Sequence, residues 1–219
     1  GLSELRESIS KYLLKKTGSI YPKENILITP GSKEAMLLMH VAFEGEIILP
    51  APSWVSYEPQ AIIGSNKVHW LQTSRENNWF PTPRELEKKI KSIGKKNIIL
   101  ILNSPNNPSG TVCKNLKEIA SIAKKYKIII LSDEIYTDLT FKDSYESICT
   151  YYPEATFVSG GVSKFKPLIL GGISLWIGAL VCTFVVTDVR ISIVYAIALI
   201  AGYVIPGFIL RKKERDEAR

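Results

Sequence analysis

The chemistry-bearing residues of this chain fall into short clusters at what read as strand ends. Asn103-Ser104-Pro105-Asn106-Asn107-Pro108-Ser109-Gly110 follows the aliphatic run Ile98-Ile99-Leu100-Ile101-Leu102, which reads as a strand buried on both faces. Two prolines, paired asparagines and a glycine force an abrupt polar loop there, because Pro fixes φ whereas Asn and Gly tolerate positive φ. Ser132-Asp133-Glu134-Ile135-Tyr136 ends a second aliphatic run and leaves Asp133 at a strand tip, where an unpaired buried carboxylate is expensive. Pro30-Gly31-Ser32-Lys33-Glu34 opens a helix, and exposed N–H groups at a glycine-led helix start can seat a phosphate. Pro52-Ser53-Trp54-Val55-Ser56-Tyr57 places a large aromatic just past a strand, and Gly160-Gly161-Val162-Ser163-Lys164 places an amine just past another. Singly, each cluster has a plain structural reading: a strand-to-helix turn, a helix start, rim packing, one lysine among many. Together they stand where open α/β sheets hold ligands, at the carboxyl ends of strands.

The elements that must position these clusters alternate along the chain. Residues 3–16 read as an amphipathic helix with Leu5, Ile9, Leu13 and Leu14 on one face, ended by Gly18. Residues 26–29 read as a short strand leading into a second helix. Strands are expected at 46–50, 67–71, 98–102, 127–131 and 156–159, with helices at 83–93 and 115–126. Repetition of buried strand, polar loop and helix predicts an α/β fold over 20–164, a mainly parallel sheet with helices on both faces.

Composition narrows the function classes. The net charge of +7 comes largely from lysine-rich helix surfaces such as Lys88, Lys89, Lys91, Lys95 and Lys96. These lack interleaved aromatics and a recognisable binding module, so they read as solvated faces and no nucleic-acid partner is expected. Cys113, Cys149 and Cys182 have no paired spacing, which argues against a disulfide framework or a metal site and fits a reducing compartment. His40 and His69 are isolated in sequence and read as packing or surface residues.

In order and position, the clusters resemble the signature motifs of the class I/II aminotransferases, enzymes of the fold-type I pyridoxal 5'-phosphate (PLP) group. Pro105-Asn106-Asn107-Pro108-Ser109-Gly110 is similar to PNNPTG, Asp133-Glu134-Ile135-Tyr136 to D-E-x-Y, and Gly161-Val162-Ser163-Lys164 to S/G-x-S-K. The resemblance implies the three-layer large domain of PLP-dependent transferases and transfer of an amino group between an amino acid and a 2-oxo acid. It implies that Lys164 holds the cofactor covalently and then serves as the base that moves a proton. Asp133 would pair with the protonated pyridine nitrogen, while Tyr136 and Asn107 would share the ring's phenolic oxygen. Trp54 would stack on the ring, the backbone of Gly31, Ser32 and Lys33 would hold the phosphate, and Tyr57 would be structural. Family members are homodimers. Two positions depart from the pattern: Gly172 stands where the family carries a phosphate-binding arginine, and Gly161 where a serine is common. Reduced cofactor binding and reduced activity are therefore expected. Two other readings stay open, a PLP-dependent lyase or decarboxylase of the same fold, and a membrane-anchored assembly or binding protein with an inert aminotransferase-like half.

Beyond Lys164 the pattern changes. Residues 1–166 read as a partial large domain, shortened at both ends relative to the family. Residues 167–187 and 191–210 carry no Asp, Glu, Lys or Arg, and each run approaches the roughly 20 residues that span a bilayer. They read as a transmembrane hairpin over 167–210 followed by a basic tail, 211–219. Ser174, Gly178 and Cys182, and Ala198, Gly202 and Pro206, recur every four residues and give each helix a small-residue face. Pro206 should kink the second helix. Lys164 and Lys166 before the hairpin, and Arg211, Lys212 and Lys213 after it, place both flanks in the cytoplasm by the positive-inside rule.

Overall fold

Aliphatic runs form the strands and helices alternate with them. The computed structural model describes residues 1–160 except 19, 95 and 141–145. Lys164, the expected hairpin over 167–210 and the tail 211–219 lie outside the described residues. The described part falls within the unit Gly1–Gly161. In chain order it contains α1 (Ser3–Thr17), α2 (Ser32–Ala42), β1 (Glu46–Ala51), α3 (Tyr57–Ile63), β2 (Lys67–Gln72), α4 (Pro83–Ile93), β3 (Ile98–Asn103), α5 (Leu116–Tyr126), β4 (Ile129–Asp133) and β5 (Thr156–Ser159).

The strands form one sheet in the order β2-β1-β3-β4-β5, and every described pairing is parallel. Alternation along each strand divides two apolar cores. Ile48, Leu100, Leu102 and Ile130 face Leu86 and Ile90 of α4 and Leu116, Ile119 and Ala123 of α5. Ile47, Leu49, Ile99, Ile101 and Leu131 face Met36 of α2 and Tyr57 and Ala61 of α3. This is the expected three-layer arrangement, with period-two side chains feeding both faces. The order reverses between β1 and β3: β1 is followed by β2 on one side, and the chain then returns to the other side. The loops after β1 and β3 therefore diverge at a switch point.

Local chemistry sets the element ends. Thr82 and Glu85 form a reciprocal capping box at the start of α4, with Pro83 in the first turn. Gly18 closes α1 at φ 72°, its N–H donating to the Leu14 carbonyl. Lys127 closes α5 at φ 54°, so β4 starts at Ile129 and includes Asp133, later than the 127–131 expected from the aliphatic run. Residues 26–29 form no strand among the described residues. Ile26 has an extended backbone (φ −108°, ψ 117°), but the segment has no ladder partner there, and extension without a neighbouring strand does not make one. Helix α1 matches its expected span, yet Leu5 and Leu14 are each 45% exposed and no residue of α1 is buried. Helix α3 was not anticipated from sequence.

Of the two histidines, His40 is a packing residue as expected, whereas His69 has a charged partner. His69 Nε2 meets the buried Glu46 carboxylate, which Lys96 also contacts, at the amino ends of β1 and β2. His40 lies buried in α2 with neither ring nitrogen hydrogen-bonded, and burial holds its pKa below the ordinary imidazole value. Among the described residues no helix is long and apolar enough to cross a membrane. Cys113 and Cys149 are free and buried.

Helix α2, which carries Gly31 and Ser32, packs closely on the end of α3. A Cβ on Gly64 would stand 2.3 Å from the His40 carbonyl oxygen, and Asn66 Nδ2 donates to that same oxygen at 2.7 Å. Neither backbone can give way without moving α2. Gly64→Ala is therefore expected to destabilise the protein by about 1–3 kcal/mol, read as a lowered midpoint in urea unfolding. A midpoint equal to that of wild type would show that the two helices are free to separate.

Candidate functional site

Three strand ends and one helix start converge on a single cavity of about 80 Å³, lined by Ser32, Trp54, Tyr57, Asn103, Asn107, Asp133, Ile135 and Tyr136. Trp54 and Tyr57 come from the loop after β1, the two asparagines from the end of β3 and its loop, and the last three from β4 and the turn that follows. The cavity thus sits at the carboxyl edge beside the β1/β3 switch point, where this sheet topology leaves a crevice.

The Asn103–Gly110 loop is braced by its own polar groups. Asn103 Oδ1 accepts from the Asn107 N–H at 2.7 Å, and Asn103 Nδ2 donates to the Asp133 carbonyl at 2.9 Å. One side chain thereby ties the β3 loop to the tip of β4. Asn106 Oδ1 accepts from both the N–H and the Oγ of Ser109. Gly110, at φ 68°, returns its N–H to the Asn106 carbonyl at 2.8 Å. The turn needs a left-handed residue there, and glycine supplies it without a Cβ clash. Asn107, so oriented, donates from Nδ2 to the Tyr136 hydroxyl at 3.3 Å.

Asp133 is 3% exposed, and the Tyr57 hydroxyl donates to its Oδ2 at 2.6 Å. The Ile135 N–H approaches Oδ1 at 3.3 Å. Burial pushes the carboxyl above the usual carboxylate range, and these two donors oppose the shift. Burial, followed by the adjoining carboxylate, drives the Tyr57 phenol upward, so it remains a proton donor across the ordinary pH range. The next residue, Glu134, points elsewhere: its Oε1 accepts from the hydroxyls of Ser132 at 2.9 Å and Ser147 at 2.6 Å. Trp54 packs edge-on to Tyr57, with ring centroids 5.3 Å apart, and Lys33 Nζ lies 5.6 Å from the Trp54 ring centroid.

The start of α2 completes the edge. Gly31 is its N-cap and provides no side-chain cap, while its carbonyl accepts from the Glu34 and Ala35 N–H groups. The first-turn N–H groups of Ser32 and Lys33 have no acceptor within the helix. Ser32 lines the small cavity. Gly31 and Lys33 line a neighbouring, more open hollow of about 560 Å³ with Val55, Ser56 and Ile63.

A sequence model of the family described as "Aminotransferase class I and II" matches residues 1–172. The chain belongs to that family. It is 38% identical to the aspartate aminotransferase of Pyrococcus horikoshii over 173 residues, which is 75% of this chain and 43% of that protein. The aspartate aminotransferase of Thermotoga maritima is 35% identical, with 68% of this chain and 40% of that protein aligned. Among solved structures, the Thermus thermophilus aspartate aminotransferase with maleate superposes with a TM-score of 0.69 at 30% identity, covering 75% of this chain and 44% of that one. The chain therefore spans less than half the length of the curated relatives it matches.

Class I and II aminotransferases use PLP, and the cavity can be tested against that group. Its volume has room for roughly five to eight water-sized positions, about the extent of one six-membered ring. A carboxylate offers about four acceptor sites, and among the described residues two donors are placed on Asp133, so it can take a further N–H. Asn107 and Tyr136 converge at one side, where an oxygen substituent could be held. Trp54 provides a flat apolar face, and the start of α2 provides open N–H donors for an anion. The residues present fit the group.

Of the sequence-predicted residues, the structure brings Ser32, Trp54, Asn107, Asp133 and Tyr136 together, sets Gly31 and Lys33 alongside, and leaves Lys164 outside the described residues. Sequence reasoning missed the part played by Tyr57, which had been read as structural, and that of Asn103. The signal for Asn103 was its place as the last residue of a buried strand, where an amide side chain needs partners. Tyr57 gave no such signal. Its contact with Asp133 spans 76 positions.

The raised Asp133 carboxyl has a consequence for stability. The native state holds this proton to higher pH than the unfolded chain, whose Asp titrates near ~3.9. Asp133 thus lowers stability as pH rises from about that value through the folded pKa, and the loss persists above it. Asp133→Asn keeps an acceptor for Tyr57 but carries no charge. In cofactor-free protein the variant should match wild type near pH 3.5 and melt at a higher temperature at pH 8. A variant that melts lower than wild type at pH 8 would mean that the buried carboxylate stabilises the fold.

Proposed function

We propose that this chain is a PLP-dependent aminotransferase that moves an amino group between an amino acid and a 2-oxo acid. The observation that carries the reading is the buried Asp133 carboxylate facing the same cavity as the Asn107–Tyr136 pair and Trp54, in a chain of the aminotransferase family. When bound, PLP supplies an electron sink that lets a proton leave the α-carbon of an amino acid. Asp133 accepts a hydrogen bond from the ring nitrogen and, being ionised, keeps a proton there. Asn107 and Tyr136 would hold the ring oxygen, Trp54 would cover one face of the ring, and the Gly31-Ser32-Lys33 backbone would receive the phosphate. Lys164 is assigned the covalent attachment and the proton movement at the α-carbon, from its motif alone. Gly172, in place of the family arginine, removes one charge-assisted contact to the phosphate. Such a contact is worth about 1.5–3 kcal/mol, or roughly a ten- to hundredfold change in affinity.

The test is absorbance titration of the chain with PLP, followed by borohydride fixation and mass analysis. Wild type should be labelled at Lys164, and Lys164→Ala should not. Asp133→Ala and Asn107→Ala should each weaken binding about tenfold or more. Equal labelling of wild type and Lys164→Ala would sink the Lys164 assignment, and absence of saturable binding would sink the cofactor reading.

The apolar runs 167–187 and 191–210, divided by Asp188 and Arg190, support a second element of the proposal, a helical hairpin that anchors the catalytic part at the cytoplasmic face of a membrane. Full-length protein is then expected to require detergent, whereas a chain ending at Lys166 stays in plain buffer. Full-length protein that is monodisperse without detergent would contradict the anchor.

A further inference from the structure

The tip of β4 poses an electrostatic problem that its own strand does not solve. Asp133 is 3% exposed, and its own strand and turn give its carboxylate only the Ile135 N–H at 3.3 Å. A buried carboxyl in such surroundings takes up a proton, and a neutral acid can no longer favour a protonated ring nitrogen beside it. The structure brings in a second donor from a different layer. Tyr57 is the first residue of α3, is 1% exposed, and reaches across the sheet to Asp133 Oδ2. Its O–H···O distance of 2.6 Å falls in the range of charge-assisted bonds to an ionised acceptor. The ring is packed within the apolar core on that sheet face, with Trp54 edge-on to it at an interplanar angle of 83°.

We infer that Tyr57 is a positioning residue of this site, whose hydroxyl keeps the Asp133 carboxylate ionised and fixed in orientation for a cationic N–H of the cofactor. The inference rests on the cofactor reading given above. The groups bearing on Asp133 come from two directions: Tyr57 from α3 and the Ile135 N–H from its own turn, while the nearby Tyr136 hydroxyl is engaged by Asn107. Of these, the Tyr57 hydroxyl is the largest influence opposing protonation of Asp133. The Tyr57 phenol is itself pushed upward, so it does not become a competing anion beside the carboxylate. A tyrosine serving only to fill space would act through its ring, and phenylalanine would replace it without effect on Asp133.

The experiment separates the two roles without relying on turnover. Full-length chain carrying ¹³C-carboxyl aspartate is titrated free of cofactor, with the Asp133 resonance assigned by its loss in Asp133→Asn. Tyr57→Phe should raise the Asp133 midpoint by about one pH unit, the scale of one hydrogen bond to a charged group. Difluorotyrosine at position 57, a stronger donor of nearly the same shape, should lower it. If Tyr57→Phe does not fold, the fluorotyrosine arm decides alone. A midpoint unmoved by either change would overturn the assignment and leave Tyr57 as packing. A second arm loads the same proteins with ¹⁵N-labelled PLP, and the ring nitrogen should shift from the pyridinium toward the pyridine position in Tyr57→Phe. Failure of every protein, wild type included, to bind PLP would overturn the cofactor reading, while the cofactor-free titration still decides the role of Tyr57.

Discussion

One buried carboxylate at the end of a parallel strand is the constraint around which this site is built. Asp133 belongs to the β4 ladder, paired in register with Asn103 on one side and Ser159 on the other, so its backbone cannot move toward solvent. Its side chain must be satisfied where it stands, because an uncompensated buried charge costs several kcal/mol even after relaxation. Tyr57 from one layer and Ile135 from the adjoining turn supply the donors, and Asn103 fastens the neighbouring loop to the Asp133 carbonyl. The two asparagines and the tyrosine are therefore parts of one polar network anchored on a single strand end.

Topology explains why such a network can exist at all. In the order β2-β1-β3-β4-β5, the connection leaving β1 and the connection leaving β3 part company at adjacent strands. The cavity lies between them at the carboxyl edge. Trp54 and Tyr57 enter it from one side, Asn103 and Asn107 from the other. The two apolar cores, one on each sheet face, fix the strands and leave the edge loops to carry polar work.

The opposite edge of the sheet handles a buried charge differently. Glu46, at the start of β1, is met directly by Lys96 and His69, so its carboxyl is held below the usual range despite its burial. Asp133 has no cation beside it among the described residues, only neutral donors, and its carboxyl is pushed up. The contrast is one of available electrostatic room. A carboxylate already neutralised by a lysine has no demand left for a ligand, whereas one stabilised only by hydroxyl and amide dipoles still favours an incoming positive group.

The sequence by itself located the five described strands to within two residues, because runs such as Ile98–Leu102 are short, aliphatic and bounded by turn residues. It also determined the identity of the loop residues and the family, because Asn107, Asp133 and Tyr136 stand in fixed order at or just past strand ends and the motif of Lys164 follows them in sequence. It placed β4 early, since an aliphatic count cannot register that Lys127 takes a left-handed conformation, and it made a strand of 26–29, an aliphatic run with no ladder partner among the described residues. Only the tertiary structure decided that Tyr57 answers Asp133, that Asn103 locks two loops together, and that Glu134 turns away from the cavity. Those facts depend on hydrogen bonds between groups far apart in the chain, and hydrophobic period carries no information about which hydroxyl will meet which carboxylate. Local pattern specifies elements, and the closing of distant loops over one strand edge specifies the site.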